Sequence, residues 1–496
     1  MSDYAYQRLR ELDRAFLIQE GPDTPMHVGA VQIHEAAPLR GADGAIDVER
    51  ILAYVASRLH RLPRYRQRVE PAPLGGHPIW VDDARFNLRY HVRHSRLPRP
   101  GDERLLKRSC ARIFEQRLDL HKPLWELWIV EGLEGDRVAL VHKVHHAMVD
   151  GVSGAELMRV LMTPEPVAEV APAAVFRPRR GPTAREYATA ELVRLGRAPF
   201  ALAGALRRLA GDEDGARRAL LERARATGRA LAAGASRAAP LPFNQPVGPH
   251  RRVDWLATSL DEIGCVRAAF GGTVNDVALA IVAGALRRYL GEVRRIDLEG
   301  VELRVMAPVS TRAASERGAL GNRVAAWVVT LPLAERDRRT RLERVREETG
   351  RLKERHESLG AETLTQALEW LGATPIALGA RLLEEGAPFH LVVTNVPGPR
   401  QPLYLLGARL LEAHPLVPLV GTLGIGIALF SYGRTLSWGF TADWERVPDL
   451  HDLVEAVAHE LRELRALAER EGAGGVAAAP PGRTARRVRK DAAHPG

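Results

Sequence analysis

Apolar and polar side chains alternate along residues 138–146, which read VALVHKVHH. A period of two is that of a β-strand, in which successive side chains point to opposite faces. One face would carry Val138, Leu140, His142, Val144 and His146, and the other Ala139, Val141, Lys143 and His145. The pattern therefore predicts a strand that ends at His146, where the chain turns.

The residues after His146 predict a tight turn followed by a helix. Asp150 and Gly151 lie in the turn, and Ser153 with Glu156 three residues later is the capping-box pattern that opens a helix. A histidine at the end of a strand can be held rigidly at the mouth of a cleft. A general base needs this, because it must stay within hydrogen-bond reach of the proton that it removes.

Three other interpretations of this stretch stay open. The histidines could be ordinary core residues with satisfied hydrogen bonds. His142, His146 and Asp150 could bind a metal ion, although a strand face spreads these ligands and no glutamate follows the first histidine as in the helical zinc-protease pattern. Ser153 could be a nucleophile, but the run from Gly151 to Ala155 is an incomplete G-x-S-x-G elbow.

Strand and helix periods alternate in both halves of the chain, which predicts an α/β protein with two lobes. Strands are predicted at 26–33, 123–133, 252–260, 303–309, 324–331, 390–396, 425–430 and 436–442. Helices are predicted at 3–17, 47–62, 105–117, 261–270, from Thr273 onward, 341–356 and 450–468. Asn275 and Asp276 lie in the first turn of the helix that Thr273 caps, where they would satisfy free backbone donors.

A change of composition separates the two lobes. After Thr163 the chain becomes rich in Ala, Pro and Arg up to Pro182, which is typical of a linker, and residues 185–235 then have helical spacing with a basic outer face. We therefore predict an N-terminal lobe at 1–165, a linker with connecting helices at 166–248 and a C-terminal lobe at 249–470. Residues 471–496 predict a disordered basic tail.

Charge and composition limit the partners. Lys and Arg number 71 against 61 Asp and Glu, a net charge of +10, which suits an anionic partner such as coenzyme A phosphates or anionic lipid. Nucleic acid is not expected, since no basic patch interleaves with aromatic residues.

Two cysteines, Cys110 and Cys265, form no disulfide framework, so the cytoplasm is the expected location.

Membrane contact is expected to be peripheral. The N-terminal residues have no apolar run of signal-peptide length, and the long uncharged stretch 413–433 is interrupted by Pro and Gly, so we expect strands and turns there. The basic tail could attract an anionic surface, such as the inner face of the plasma membrane or a lipid droplet, or it could simply be solvated.

The motif His145-His146-Ala147-Met148-Val149-Asp150-Gly151 matches HHxxxDG of the coenzyme A-dependent acyltransferases, which include chloramphenicol acetyltransferase and peptide-synthetase condensation domains. Three further motifs occur along the chain, in this order: Pro123-Leu124-Trp125, Asn275-Asp276 and Asn395-Val396-Pro397-Gly398-Pro399. From Leu12 to Asp449 the chain resembles the bacterial wax ester synthase/diacylglycerol acyltransferase family.

The resemblance implies two chloramphenicol-acetyltransferase-like lobes of mixed sheets and helices, joined by a helical linker, with the active-site tunnel at their interface. It also implies transfer of a long acyl chain from acyl-CoA, a co-substrate, to diacylglycerol or a fatty alcohol, with no further cofactor and no metal. Acylation of an amine or a polyketide hydroxyl is the alternative enzyme activity. A catalytically silent lipid-binding protein is the alternative of another class.

The resemblance also implies roles for residues of the turn that begins at His146, here called the catalytic turn. His146 would be the base, since an imidazole with a pKa of about 6.5 is largely neutral at pH 7 and can take a hydroxyl proton. Asp150 would brace the turn by pairing with an arginine, for which Arg312 is the candidate ahead of Arg304 and Arg323. Gly151 would leave room for pantetheine or the acyl chain, and His145 would pack or orient the turn.

The other motifs have roles implied by the resemblance alone. Pro123, Leu124, Trp125, Asn395, Pro397 and Gly398 are expected around the substrates, with Trp125 mainly a packing residue. Asn275 and Asp276 are expected to shape the site beside His146, although helix capping alone would explain them.

Overall fold

The computed structural model describes residues 4–73, 76–148, 156–194, 196, 238–310, 324–357 and 387–477. The strands are β1 (Gln7–Arg8), β2 (His27–Glu35), β3 (Gln67–Ala72), β4 (Gly76–Asp82), β5 (Val92–Arg96), β6 (Trp125–Leu133), β7 (Arg137–His145), β8 (Arg251–Ser259), β9 (Leu303–Ser310), β10 (Val324–Leu331), β11 (Leu391–Pro397), β12 (Tyr404–Leu405), β13 (Ala408–Leu416), β14 (Ile425–Tyr432) and β15 (Thr435–Asp443).

The α-helices are α1 (Glu11–Gln19), α2 (Val48–Arg58), α3 (Leu88–His91), α4 (Glu103–Glu115), α5 (Glu156–Leu161), α6 (Leu260–Phe270), α7 (Val274–Arg288), α8 (Arg338–Glu357) and α9 (Leu450–Ala477). Residues 184–194, inside the predicted connecting segment, are also helical. Among the described residues no single helix is long and apolar enough to cross a membrane; only α6 and the following residues 274–293 pass such a test together, as a pair bent by 97°.

The predicted strand before His146 is confirmed as β7. It lies inside a six-stranded sheet with the order β12-β13-β2-β7-β6-β5, antiparallel to both of its neighbours. Its two faces pack on different cores: Val138, Leu140 and Val144 join a cluster that includes α2, whereas Ala139 and Val141 join a cluster that includes α4. Both faces are buried, so the strand that carries the histidines is held rigidly.

The second sheet has the order β10-β9-β11-β14-β15-β8 and is mixed, because β11 runs parallel to both β9 and β14. Helix α7 packs beneath it and is buried over nearly its whole length, with α6, α8 and α9 around it. Thr273 caps α7 through a complete capping box with Asp276, as the sequence predicts. A small third sheet has the order β1-β4-β3.

Residues 404–416 cross from one half of the protein to the other. They belong by sequence to the predicted C-terminal lobe, yet β13 pairs antiparallel with β2 and extends the first sheet. The predicted C-terminal lobe at 249–470 therefore needs correction, because β12 and β13 belong to the first sheet. The physical reason is that β13 satisfies the backbone hydrogen-bonding groups of β2 on its edge opposite β7.

The N-terminal segment also differs from its prediction. The sequence predicts one helix over 3–17, but Gln7 and Arg8 pair with Ile79 and Trp80 of β4, and the helix begins only at Glu11. Strand pairing with a distant segment overrides the local helical spacing here. The connecting helices predicted over 185–235 lie outside the described residues from 197 onward, and the other predicted strands and helices agree with the structure to within a few residues. Helix α9 continues to Ala477, so residues 471–477 of the predicted disordered tail are helical, and residues 478–496 lie outside the described residues.

Gly439 lies where the two sheets cross. An added Cβ on Gly439 of β15 would lie far inside van der Waals contact of the Pro415 carbonyl oxygen of β13, and backbone cannot move aside cheaply. Gly439→Ala should therefore lower the free energy of unfolding by about 3 kcal/mol. Denaturant unfolding of this variant and of Gly264→Ala measures the difference.

Gly264 is the matched control because it lies inside α6 with open space around its Cβ position. Alanine there should stabilise the helix by up to about 1 kcal/mol. Equal stability of the two variants would show that the sheets do not approach each other at Gly439.

Candidate active site

His146 lies directly after β7, in a single 3-10 turn that spans His146–Met148. The register of β2 and β7 pairs His27 with His145, and the His146 backbone N–H then donates to the Met26 carbonyl oxygen over 2.8 Å. The ring of Phe16 in α1 stacks on the imidazole with centroids 3.8 Å apart. The end of β2 and one helix thus fix both the backbone and the ring of His146.

The surroundings keep this imidazole neutral. The pKa of His146 is lowered to about 4, chiefly by burial; its own backbone carbonyl acts in the opposite direction, and the neighbouring His145 adds a smaller lowering effect. Its Nδ1 is buried and makes no aligned hydrogen bond to any described residue. A ring that is neutral at pH 7 has the protonation state that a general base needs, but a pKa of about 4 makes it a weaker base than an imidazole with the ordinary pKa of about 6.5. The role of His146 as the base stays a prediction.

His142 is placed differently from His146. Its Nε2 lies 3.5 Å from the Tyr65 hydroxyl, and the two rings stack in the core. Burial lowers the pKa of His142 to about 4, so this side chain is also neutral. Asp150, the third residue of the metal interpretation, lies outside the described residues.

His145 points away from His146 and supports the turn. Its Nδ1 accepts the Ala147 backbone N–H over 3.0 Å, and its Nε2 lies 3.3 Å from Oε2 of Glu20. The carbonyl oxygen of Leu124 accepts the His145 backbone N–H over 2.9 Å. The sequence predicts that His145 packs or orients, and these contacts are of that kind.

The Pro123-Leu124-Trp125 motif leads into β6, the neighbour of β7 in the sheet, where Trp125 pairs in register with Val144. Trp125 is completely buried, its Nε1 donates to the Tyr65 carbonyl oxygen over 2.8 Å, and its ring stacks on His91. Leu124 is also completely buried. The packing role predicted for Trp125 thus agrees with its contacts, whereas a buried, hydrogen-bonded indole is not positioned for the substrate contact implied by the resemblance.

Asp276 joins two helices. Its Oδ2 accepts from the Thr273 backbone N–H and hydroxyl over 2.7 and 2.8 Å, and its Oδ1 accepts from the Thr349 hydroxyl of α8 over 2.7 Å. These bonds cap α7 and tie it to α8. Both carboxylate oxygens of Asp276 are used in this clamp, as helix capping predicts, and its role in shaping the site beside His146 stays a prediction. Asn275 is half-buried in the same first turn.

The Asn395–Pro399 motif ends β11 near the junction of the two sheets. Asn395 pairs in register with Leu429, and the Gly398 backbone N–H donates to the Ser431 hydroxyl over 3.1 Å. Gly398 has no room for a Cβ because the Ser431 carbonyl oxygen and the Phe430 ring lie against it. Phe430 belongs to the same large hydrophobic cluster as Met148, so the motif borders a core that both sheets share.

Two family models match this chain. The model of the wax ester synthase/diacylglycerol acyltransferase catalytic domain covers residues 9–278, and the model of the C-terminal domain of the same family covers residues 320–465. The chain belongs to this acyltransferase family. The catalytic-domain match contains the strand, the histidine turn and the Pro123–Trp125 motif described above.

Individual relatives agree with the assignment. Two proteins of Mycobacterium tuberculosis are named as diacylglycerol O-acyltransferases: tgs1 is 32% identical over 93% of this chain and 96% of its own length, and tgs2 is 34% identical over 91% and 97%. The wax ester synthase/diacylglycerol acyltransferase structure from Marinobacter aquaeolei VT8 is 25% identical and superposes with a TM-score of 0.64 over 93% of this chain and all of that one.

The fold is shared more widely than the sequence. The first condensation domain of the calcium-dependent antibiotic synthetase superposes with a TM-score of 0.56 at 19% identity, covering 94% of this acyltransferase and 97% of that domain. The predicted two-lobe fold with mixed sheets and helices is therefore confirmed.

Several predicted residues lie outside the described part of the acyltransferase: Asp150, Gly151, Arg312 and the alternative Arg323. Their roles stay predictions. The other alternative, Arg304, is described and pairs with Glu302 over 3.0 Å.

Sequence reasoning missed two residues at the site, Phe16 and Glu20. Phe16 stacks on His146, and Glu20 lies against His145. They precede the catalytic turn by more than a hundred residues, and no spacing within the chain links them to it. Only the pairing of β2 with β7 brings the two segments together.

Proposed function

We propose that this acyltransferase moves a long acyl chain from acyl-CoA to the hydroxyl group of diacylglycerol or a long-chain alcohol, giving triacylglycerol or wax ester. The observation that carries the proposal is the rigidly held, neutral imidazole of His146 at the end of β7, in a chain of this family. The names of the Mycobacterium relatives support diacylglycerol as an acceptor, and the name of the Marinobacter structure supports both acceptors.

His146 would act as base and then as acid. The neutral ring takes the hydroxyl proton while the oxygen attacks the thioester carbonyl carbon, forming the new C–O bond. The tetrahedral oxyanion then collapses and breaks the C–S bond. The imidazolium returns the proton to the coenzyme A thiolate, so no covalent acyl-enzyme is needed and the histidine is regenerated.

The turn after His146 would complete the site. In this proposal Asp150 braces the turn by an ion pair with Arg312, and Gly151 leaves room for pantetheine or the acyl chain. Asn395, Pro397 and Gly398 would contribute to the substrate path from the second sheet. A closed apolar path would exclude water and protect the thioester from hydrolysis.

Contact with lipid would be peripheral in this proposal. The net charge of +10 favours an anionic surface, such as the cytoplasmic face of the plasma membrane or a lipid droplet, where the lipid acceptor resides. The reaction would need no cofactor, because acyl-CoA is a co-substrate and one side chain serves as both base and acid.

The test offers radiolabelled palmitoyl-CoA together with hexadecanol, a diacylglycerol or hexadecylamine to the wild-type protein in parallel. Label in wax ester or triacylglycerol, retained after treatment with EDTA, is expected. Label found only in the amide would favour the amine alternative. Binding of acyl-CoA without any product would favour a silent lipid-binding protein, and either outcome would refute the proposal.

A further inference from the structure

Glu20 is a buried carboxylate that the proposed reaction does not use. It caps the C-terminal end of α1, and its side chain is 0% exposed. Oε2 lies 3.3 Å from His145 Nε2, while Oε1 lies 3.6 Å from both His27 Nε2 and Arg117 Nε. Neither oxygen makes an aligned hydrogen bond to any described residue.

Such a carboxylate costs folding free energy. Removing a charged group from water is expensive unless aligned hydrogen bonds replace its hydration. Two cations compensate only in part: the Arg117 side chain is 42% exposed and remains accessible to water, and buried Lys143, which also interacts with Glu20, is paired with Glu126 over 3.0 Å. Packing therefore does not explain a glutamate at this position, and its effect on the neighbouring histidines must be considered.

The two histidines present different groups to Glu20. The Ala147 backbone N–H donates to His145 Nδ1, so the proton of the neutral His145 ring is on Nε2, facing the carboxylate. The Leu118 backbone N–H donates to His27 Nε2 over 3.3 Å, so His27 turns a lone pair to Glu20 and carries its proton on Nδ1. Of the two, only His145 offers a proton to the carboxylate.

The contact continues to the catalytic base. Ala147, whose N–H is held by His145, directly follows His146 in the turn. The other anchor of the turn is the Met26 carbonyl oxygen, which lies in the same α1–β2 connection as Glu20. The connection therefore holds the turn twice, once through backbone and once through the Glu20–His145 contact.

We propose that Glu20 is a positioning residue for acyl transfer: its buried carboxylate holds His145 in the Nε2–H tautomer, and His145 thereby fixes the turn that aims His146. The inference rests on the proposed function, since it concerns the same site. A positioning group affects the rate because a displacement of about 1 Å of a reacting group can cost about 100-fold.

Glu20→Gln tests the inference because it keeps the shape of the side chain and removes its charge. We expect kcat to fall about 10- to 100-fold with the KM for palmitoyl-CoA unchanged, as is typical of groups that orient a catalytic residue. The melting temperature should stay within about 2 °C of the wild-type value, since a costly buried charge is removed. A loss of kcat that is matched by a large fall in melting temperature would indicate a structural role and overturn the inference.

Glu131→Gln is the matched control. Glu131 is a buried glutamate of β6 that also faces a histidine and an arginine, His94 Nε2 at 3.4 Å and Arg96 Nε at 3.0 Å. Among the described residues Glu131 makes no contact with the catalytic turn, so the kcat of Glu131→Gln should equal that of the wild type. Glu20→Asp retains the charge but shortens the side chain by one methylene, so its kcat should fall less than that of Glu20→Gln. Equal losses of kcat in the two variants would overturn the inference.

Two further measurements separate this inference from the proposed function. In a His145→Gln background, Glu20→Gln should change kcat less than about twofold, because effects that pass through one residue are not additive. Nitrogen-15 NMR of labelled histidine, assigned with His145→Gln, should show loss of the Nε2–H tautomer of His145 in Glu20→Gln. An unchanged His145 signal overturns the inference even if the wild-type protein forms no neutral lipid, a result that by itself would refute only the proposed function.

Discussion

His146→Ala is expected to lower kcat for neutral-lipid formation about 1000-fold or more, the effect of removing a general acid–base group from a transfer that depends on it. The variant loses the only group at this turn that we expect to take the hydroxyl proton, while the backbone hydrogen bond of residue 146 to the Met26 carbonyl oxygen can still form. The KM for palmitoyl-CoA should change little, because the imidazole acts on the acceptor hydroxyl. Initial rates with radiolabelled palmitoyl-CoA measure both constants.

His121→Ala is the control for this prediction, since His121 is an exposed residue that precedes the Pro123–Trp125 motif. It should retain the wild-type rate. Product formed by His146→Ala at a rate within about tenfold of the wild type would remove His146 as the base, because general acid–base groups contribute at least about 100-fold. The family assignment would be unaffected by that result.

Acidification from pH 7 to pH 5 is expected to remove about 6 kcal/mol of unfolding free energy through three buried histidines. Burial lowers the pKa of His34, His142 and His146 from about 6.5 to about 4. Above pH 6.5 these groups are neutral in both the folded and the unfolded chain. Between pH 6.5 and 4 only the unfolded chain takes up protons, so stability falls as the pH falls, by about 2 kcal/mol per group at pH 5.

Urea unfolding at pH 7, 6 and 5 measures this loss as a fall in the denaturation midpoint. His34→Gln provides the matched variant: His34 is completely buried in β2, opposite Val138 of β7 and Leu410 of β13, and is distant in sequence from the catalytic turn. Whatever its own cost at pH 7, this variant should lose about 2 kcal/mol less stability on acidification than the wild type. A midpoint that is constant between pH 7 and 5 would contradict the prediction.

The same histidines show how far sequence reasoning reaches. Alternation along 138–146 correctly placed His142 and His145 on opposite faces of β7, because side-chain direction in a strand follows from backbone geometry alone. Whether each histidine packs, orients or titrates depends on the groups that face it from other segments. Tyr65, Glu20 and Phe16 supply these groups, and none of them is near in sequence.

The motifs divide in a similar way. The Thr273 cap was predicted correctly because capping is a local arrangement of three or four residues. The bond of Asp276 to Thr349 of α8 was not, because the two residues are 73 positions apart. Likewise, the Pro123-Leu124-Trp125 motif was recognised from the sequence, but its place beside β7 follows from the pairing of β6 with β7, and Trp125 is packed there between Tyr65 and His91.

The sequence by itself determined the positions of most strands and helices, the strand-and-turn arrangement of the two histidines and, through its four ordered motifs, the family. These features depend on local periodicity, capping and residue identity. The tertiary structure alone decided that β13 completes the first sheet, that the predicted helix over 3–17 is partly a strand, and that Glu20 lies against His145. Each of these joins segments far apart in the chain, where backbone pairing and burial, rather than local pattern, determine which partner is chosen.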